Sequence, residues 1–237
     1  MPLSESQAAM SELLERAQAI DWWHSGIDLG DGIITYGRSR PQDNLLPFLG
    51  LPDDLTDVTV LDVCTWDGYM AFECETRGAR VTAVDSFAWD KSNSATITGW
   101  HTTGRDGFDL ARMARKSRVK PVHCDVLDLD VKKLGTFDIV LFLGVLYHMR
   151  HPLLALEKVA PLVGDLLILE THLDMTDSDV PAMRFYPGDE VNDDPTNWWG
   201  PNIACVEAML HDVGFAHVEA LPINQSRVVM HARRGQP

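Results

Sequence analysis

Five short apolar runs punctuate the chain, and between them the period changes to that of helices. Residues 58–63 (V-T-V-L-D-V) are apolar and β-branched with almost no alternation, the pattern of a strand buried on both faces. Runs of the same kind follow at 80–84, 119–124, 137–143 (F-D-I-V-L-F-L) and 165–170. Residues 69–76 (Y-M-A-F-E-C-E-T) are good helix formers closed by Arg77-Gly78. Further helices are predicted at 108–115, at 152–162 with Pro152 near its start, and at 203–213, closed by Gly214. Residues 128–134 form a short connection ending at Gly135. Strands alternating with helices imply a parallel sheet covered on both faces. Two final strands, 218–221 and 227–232, are separated by five residues, too few for a parallel crossover, so that pair is expected to be antiparallel.

The flanking segments are less regular. Residues 4–20 place Ala9, Leu13, Leu14 and Ala17 on one face of an amphipathic helix, with Ser4 as its N-cap. Residues 21–37 (D-W-W-H-S-G-I-D-L-G-D-G-I-I-T-Y-G) are aromatic and glycine-rich. They suit a loop whose tryptophans pack on the core and, compatibly, a lid over a pocket. A short helix is expected at 44–49 and a turn at 52–57. The polar stretch 86–107, with Trp89, Trp100 and His101, is expected on a pocket rim. Residues 175–201, rich in Asp, Pro and Trp, are long for a loop, which favours a functional insertion. The expected organisation is an N-terminal helix and lid segment over 1–50, then one α/β domain over 51–237.

The break after the first strand, Cys64-Thr65-Trp66-Asp67-Gly68, leads directly into a helix. Strand, tight turn and helix bring backbone N–H groups up to a ligand. Asp85 ends the second strand, where a carboxylate can accept hydrogen bonds from ribose hydroxyls. A dinucleotide fingerprint wants three glycines here and only Gly68 is present, while Trp66 and Asp67 oppose a diphosphate. S-adenosylmethionine has no phosphate and carries a positive sulfonium, so acidic groups suit it.

The formal net charge of −15 disfavours a nucleic-acid substrate, which calls for a basic stripe. The one dense basic cluster, Arg105, Arg112, Arg115, Lys116, Arg118 and Lys120, reads as a solvated helix face. The four cysteines show no C-x-x-C pair and read as thiols in a reducing compartment. With no signal-like start and no apolar run of about 18 residues, a cytoplasmic protein without membrane association is expected.

With these elements placed, residues 58–237 resemble the class I S-adenosylmethionine-dependent methyltransferases, a Rossmann-like fold with a seven-stranded, mostly parallel sheet and a C-terminal antiparallel hairpin. G-V-L-Y-H-x-x-x-P at 144–152, L-I-L-E-T at 167–171 and W-H-S-G-I-D-L-G-D-G-I-I-T-Y-G near the start resemble the branch containing the transfer RNA wobble-uridine carboxymethyltransferase and its small-molecule relatives. The resemblance implies that Asp62, Cys64, Thr65, Trp66, Asp67 and Gly68 line the methionine part of the cofactor. It also implies that Asp85, with Ser86 beside it, holds the ribose, that Asp125 and the Val126 N–H meet the adenine, and that Leu143 and Gly144 lie under the methionine tail. Cys64 stands where the family has its first glycine.

Methyl transfer to oxygen or nitrogen needs alignment and benefits from a general base. His148 lies just past the fourth strand, while Glu170, His172 and Asp174 follow the fifth at positions that share one face if the chain stays extended. The expectation is a cleft in which His148 or His172 is the base and Glu170 orients it. The same three residues are the candidate ligands for a divalent metal, a less favoured reading. Trp23, His24, Tyr147, Arg150, Arg184, Tyr186, Trp198 and Trp199 are candidate substrate contacts, and tryptophan faces beside Asp and Asn suit a sugar ring. The expected activity is O-methylation of a small hydroxylated molecule, with a saccharide hydroxyl first in order. The alternatives are transfer RNA uridine modification and a cofactor-binding regulatory module without turnover. The pattern does not indicate an oligomeric state.

Overall fold

The computed structural model describes residues 4–39, 41–95 and 104–235. Its centre is a seven-stranded sheet: β1 Thr59–Val63, β2 Arg80–Asp85, β3 Lys120–His123, β4 Phe137–Leu143, β5 Val163–His172, β6 His217–Asn224 and β7 Arg227–Arg233. In space the order is β6-β7-β5-β4-β1-β2-β3. β1 to β5 are mutually parallel, and β7 runs antiparallel to both β5 and β6. The expected α/β architecture, the strand count and the antiparallel final hairpin are all present.

The apolar runs are continuous because both faces of the sheet are covered. Leu61, Val63, Phe142, Leu167 and Leu169 point to one core layer, where α4 Pro152–Val159 and α5 Ile203–Asp212 cover them. Val60, Leu141, Ile168 and Val229 point to the other, under α2 Tyr69–Thr76, α3 Asp106–Ala114 and the N-terminal segment. The N-terminal helix α1, Glu5–Gln18, opens with a capping box in which the Ser4 hydroxyl accepts from Gln7 N–H and the Gln7 side chain accepts from Ser4 N–H.

Several expectations shift, among them β6, which runs to Asn224 rather than Leu221 because it stays paired with β7. β5 runs two residues past Glu170, to His172, because β7 pairs along it in a register that sets Arg227 opposite His172 and Val229 opposite Glu170. The expected helix at 44–49 is split into a turn of α-helix at Pro41–Asn44 and a 3-10 turn at Leu46–Phe48. The 175–201 insertion contains a two-stranded antiparallel pair, Met183–Phe185 with Trp199–Pro201, which short-range periodicity does not announce. Trp100 and His101 lie outside the described residues. No helix among the described residues is long and apolar enough to cross a membrane.

The turn after β1 has its own geometry. Cys64, Trp66 and Gly68 all have left-handed φ values, +61°, +56° and +93°. Alternate residues thus adopt the backbone of a glycine loop, but two of the three are not glycine. Each such residue costs about 1–2 kcal/mol. The turn is held by Cys64 N–H and Thr65 N–H donating to the Val84 carbonyl (2.8 and 3.1 Å), and by the Trp89 indole N–H donating to the Trp66 carbonyl (2.7 Å). Opposite responses are therefore expected at its two ends. Cys64→Gly relieves strain and raises stability by up to about 1 kcal/mol. Gly68→Ala sets a Cβ 2.7 Å from Phe72 Cε2 and 2.8 Å from Phe108 Cδ2, and destabilises by more than about 1 kcal/mol. Urea unfolding of both variants checks the pair of signs.

Candidate active site at the strand tips

Every candidate cofactor contact lies at or just past the C-terminal ends of β1 to β4, the edge at which open α/β sheets bind ligands. Three carboxylates are buried there. Asp62 shares the face of Val60 and accepts the Thr65 hydroxyl proton at 2.6 Å. Asp67 accepts Ser25 N–H at 2.8 Å through Oδ2, which ties the N-terminal segment to the turn, and its buried Oδ1 has no hydrogen-bond partner among the described residues. Asp85, 1% exposed, accepts Trp66 N–H on Oδ2 and Ala88 N–H on Oδ1, both at 2.9 Å. Burial pushes the Asp62 and Asp67 carboxyls up to about 7 and Asp85 to about 6, with the Asp85 charge adding to the shift at Asp62. The backbone and hydroxyl donors oppose burial without cancelling it. Asp85 is placed beneath the turn, so contact with a ribose requires the Trp66 segment to yield.

Around this core, Ser86 Oγ–H donates to Asp125 Oδ2 at 3.3 Å, and Asp125 Oδ1 caps the 3-10 turn Val126–Asp128 through Leu127 N–H. Gly144 N–H donates to the Glu170 carbonyl, which fixes the loop after β4 against β5. The Trp66 ring stacks on His24 with centroids 4.8 Å apart. Trp23, expected to touch substrate, is instead a core residue. It is 6% exposed, and its indole N–H donates to the Ala17 carbonyl, so it anchors α1. Three of the six members of the basic cluster are engaged within the fold: Arg112 donates to the Val119 carbonyl, Arg115 to the Asp28 carbonyl, and Arg105 to Asp109.

The second group of candidates converges on Tyr147, which is buried between the two histidines. Its ring centroid is 4.3 Å from that of His148 and 6.2 Å from that of His172. Glu170 does not orient either histidine. It forms a two-point ion pair with Arg227, which the sequence reading missed: Nε donates to Oε1, and Nη2 to Oε2 at 2.8 Å. Arg227 also lies over the Tyr147 ring, 5.3 Å from its centroid. Both Glu170 oxygens are thus engaged, and His148, Glu170 and His172 do not form a ligand set. Among the described residues no group of three or more His, Cys, Asp or Glu is arranged to hold a metal ion.

The two histidines differ in what they have free. Tyr186 donates its hydroxyl proton to Asp174 Oδ2 at 2.6 Å, so its oxygen meets His172 Nε2, 3.2 Å away, as an acceptor. His148 instead bonds through Nδ1, to the Thr196 carbonyl and the Thr196 hydroxyl oxygen, each at 3.0 Å. A carbonyl only accepts, so the proton sits on Nδ1 and Nε2 keeps its lone pair. Burial, assisted by Arg227, lowers the pKa of both rings, so both are neutral near pH 7.

The insertion supplies the remaining walls. Trp198 N–H donates to the Tyr147 carbonyl at 2.8 Å and Asp174 N–H to the Pro201 carbonyl at 3.0 Å, which dock the 199–201 strand on the site. The Arg150 guanidinium lies 3.9 Å from the Trp198 ring centroid, and Trp199 packs on Phe185. Arg184 pairs with Asp174 at 3.4 Å beside an open pocket of ≈ 390 Å³ lined by His172, Tyr186 and Glu190. Trp199 and Arg150 face a separate groove of ≈ 500 Å³ between α4 and α5. Tyr186 and Trp199 therefore line different hollows, and Tyr147 and Trp198 line neither.

Comparison with known proteins agrees with this geometry. A profile described as a methyltransferase domain matches residues 34–220. A tRNA U34 carboxymethyltransferase of Syntrophotalea carbinolica is 32% identical over 115 residues, 46% of this chain and 34% of that protein. The same enzyme of Actinobacillus pleuropneumoniae is 29% identical over 185 residues, 76% of this chain and 51% of that protein. The chain thus spans at most about half the length of these relatives. Among solved structures, the N-terminal domain of EvdMO1, crystallised with SAH and D-fucose, superposes with a TM-score of 0.63 at 22% identity, covering 95% of this chain and 97% of that one. The profile match extends over most of the chain and includes the β1 turn, the loop after β4 and the insertion, so the chain belongs to the methyltransferase-domain family.

Proposed function

We propose that the protein is an S-adenosylmethionine-dependent O-methyltransferase acting on a small hydroxylated molecule, with His148 as its general base. The observation that carries the cofactor reading is the group of three buried, charge-frustrated carboxylates at the β1 and β2 tips, one with an unpartnered oxygen. Such a site gains from a cationic ligand and would repel a diphosphate. Asp62, Asp67 and Gly68 of the turn, with Asp85, Ser86, Asp125, Val126, Leu143 and Gly144, would hold the cofactor. When bound, S-adenosylmethionine supplies a methyl carbon activated by its sulfonium. The protein's own task is to align the acceptor and remove its proton, and His148 Nε2 is the lone pair available for that.

A saccharide hydroxyl is the first acceptor to test. The rings of Tyr186 and His172 beside Asp174, Glu190 and Asn192 offer stacking and hydrogen bonds together, and the fold neighbour EvdMO1 was crystallised with D-fucose. Transfer RNA uridine modification is the second reading, favoured by the names of the curated relatives. The net charge of −15 and the internal use of Arg105, Arg112 and Arg115 count against it.

Cofactor binding should depend on pH. The three carboxyls are protonated below about 6–7 in the free protein and must ionise to receive a cation. Calorimetry should therefore show affinity rising as pH increases through that window and levelling above it, with protons released on binding. The effect should be stronger for the sulfonium donor than for its demethylated product. The same burial has the opposite sign for the ligand-free fold. A folded-state pKa above the ordinary carboxylate range favours folding at low pH, and this contribution is lost as pH rises through about 7. Asp62→Asn should thus raise the melting temperature of the ligand-free protein at pH 8 while weakening cofactor binding.

Turnover tests the base. With a hexose panel as acceptors, His148→Gln should lower kcat by about a hundredfold or more while cofactor affinity holds. An undiminished His148→Gln rate rules out this base. Methylation of transfer RNA by the purified protein, with no sugar modified, would instead select the second reading. Cofactor binding without turnover on sugars, phenols or RNA would point to a regulatory module.

A further inference from the structure

The proposed base is joined to a buried carboxylate on the insertion. Asp194 is 2% exposed and accepts twice on Oδ1, from Thr196 N–H at 2.8 Å and from the Thr196 hydroxyl at 2.6 Å. With its proton committed to Asp194, the Thr196 oxygen presents lone pairs to His148 Nδ1, 3.0 Å away, beside the Thr196 carbonyl at the same distance. The chain of donors therefore runs one way, from His148 Nδ1–H to Thr196 Oγ–H to the Asp194 carboxylate. Asp194 is fixed in turn by the local fold: Asp194 N–H donates to the Val191 carbonyl, and Asn197 N–H to the Asp194 carbonyl.

We infer that Asp194 and Thr196 are positioning residues that hold His148 in the Nδ1–H tautomer and raise the basicity of Nε2, so that the insertion carries the switch for a base standing on the loop after β4. This inference rests on the proposed role of His148. A carboxylate at the end of a hydroxyl relay stabilises positive charge on the ring and disfavours the Nε2–H tautomer. The charged and titratable groups facing the ring are Asp194 from the insertion, Arg227 from β7 with Glu170 of β5 behind it, and Tyr147 with His172 on its far side. Arg227 opposes protonation and Asp194 favours it, and the Arg227 charge is already compensated by Glu170. Asp194 is the uncompensated member of the set. Because its hydrogen-bonded connection to the ring passes through Thr196, an acceptor that repacks residues 191–197 would change base strength without touching the imidazole.

The test needs no acceptor. Protein labelled with ¹⁵N-histidine, with the His148 signals assigned by their loss in His148→Gln, reports tautomer and titration midpoint by long-range proton–nitrogen correlation. The wild-type ring should be Nδ1–H with a midpoint below the usual histidine range. Asp194→Asn should raise the Nε2–H fraction severalfold and lower the midpoint by about one pH unit. Thr196→Val, which keeps the carbonyl and removes the hydroxyl, should shift both in the same direction, and Thr196→Ser should shift neither. A wild-type ring that is mainly Nε2–H overturns the inference. So does a tautomer ratio unchanged in both Asp194→Asn and Thr196→Val, or in Thr196→Val alone should Asp194→Asn not fold. Full methyl transfer by His148→Gln is a separate result: it would remove the base and leave the tautomer finding standing.

Discussion

Negative charge held out of water at the tip of the central strand is the constraint on which the rest of this molecule turns. Asp62 and Asp67 flank the turn after β1 and Asp85 ends the neighbouring β2, all nearly inaccessible, with no cationic side chain among the described residues bonded to any of them. Backbone N–H groups and a hydroxyl do the holding instead. That choice explains the left-handed turn: only by folding back at Cys64, Trp66 and Gly68 does the chain aim the Trp66 N–H at Asp85 while bringing Thr65 over Asp62. It also explains the N-terminal segment, whose Ser25 N–H is the donor that reaches Asp67 from outside the sheet. A group of carboxylates satisfied by weak donors rather than by arginine remains receptive to a positive ligand, whereas a full ion pair would have neutralised the site in advance.

Two strand ends away the electrostatics are solved in the other manner. Glu170 is matched by Arg227 in a two-point pair, with Tyr147 packed against the guanidinium. The pair joins β5 to β7 at the rim and leaves the neighbouring histidines in a neutral, low-dielectric setting. The contrast gives this edge of the sheet an anionic side at β1 and β2 and a neutral aromatic side at β4 and β5. On the proposed reading a cationic donor and an uncharged hydroxyl acceptor would each find a matching surface, and a neutral imidazole would take a proton that a paired arginine cannot.

The sheet was readable because strands buried on both faces leave continuous apolar runs, and 137–143 coincides with β4 to the residue. What local pattern could not supply was pairing across the chain. The two extra residues of β5 exist because β7 lies alongside, and Arg227, a lone cation at the start of an apolar strand, carries no sign in the sequence that it will meet Glu170. The glycine-loop geometry was hidden for another reason: Cys64 and Trp66 are residue types that argue against a positive φ, and their strain is repaid by hydrogen bonds visible only in three dimensions. Trp23 misled because an aromatic in a glycine-rich loop suits a lid and a core anchor equally well. The convergence of His148 and His172 on one stack followed from strand-end logic, but their unequal bonding did not.

The insertion shows how an irregular segment can be tightly specified. Asp194-Pro195-Thr196 has the composition of an Asx turn, and its local bonds are those such a turn predicts. The turn alone would be unremarkable on a surface. It gains meaning because Trp198 N–H is tied to the Tyr147 carbonyl and so fixes Thr196 against the ring of the next residue, His148. One backbone hydrogen bond thus converts a local motif into part of a cleft. Across this edge of the sheet, regular strands set the positions of the chemical groups, and irregular chain, bound by its own polar atoms, sets their protonation.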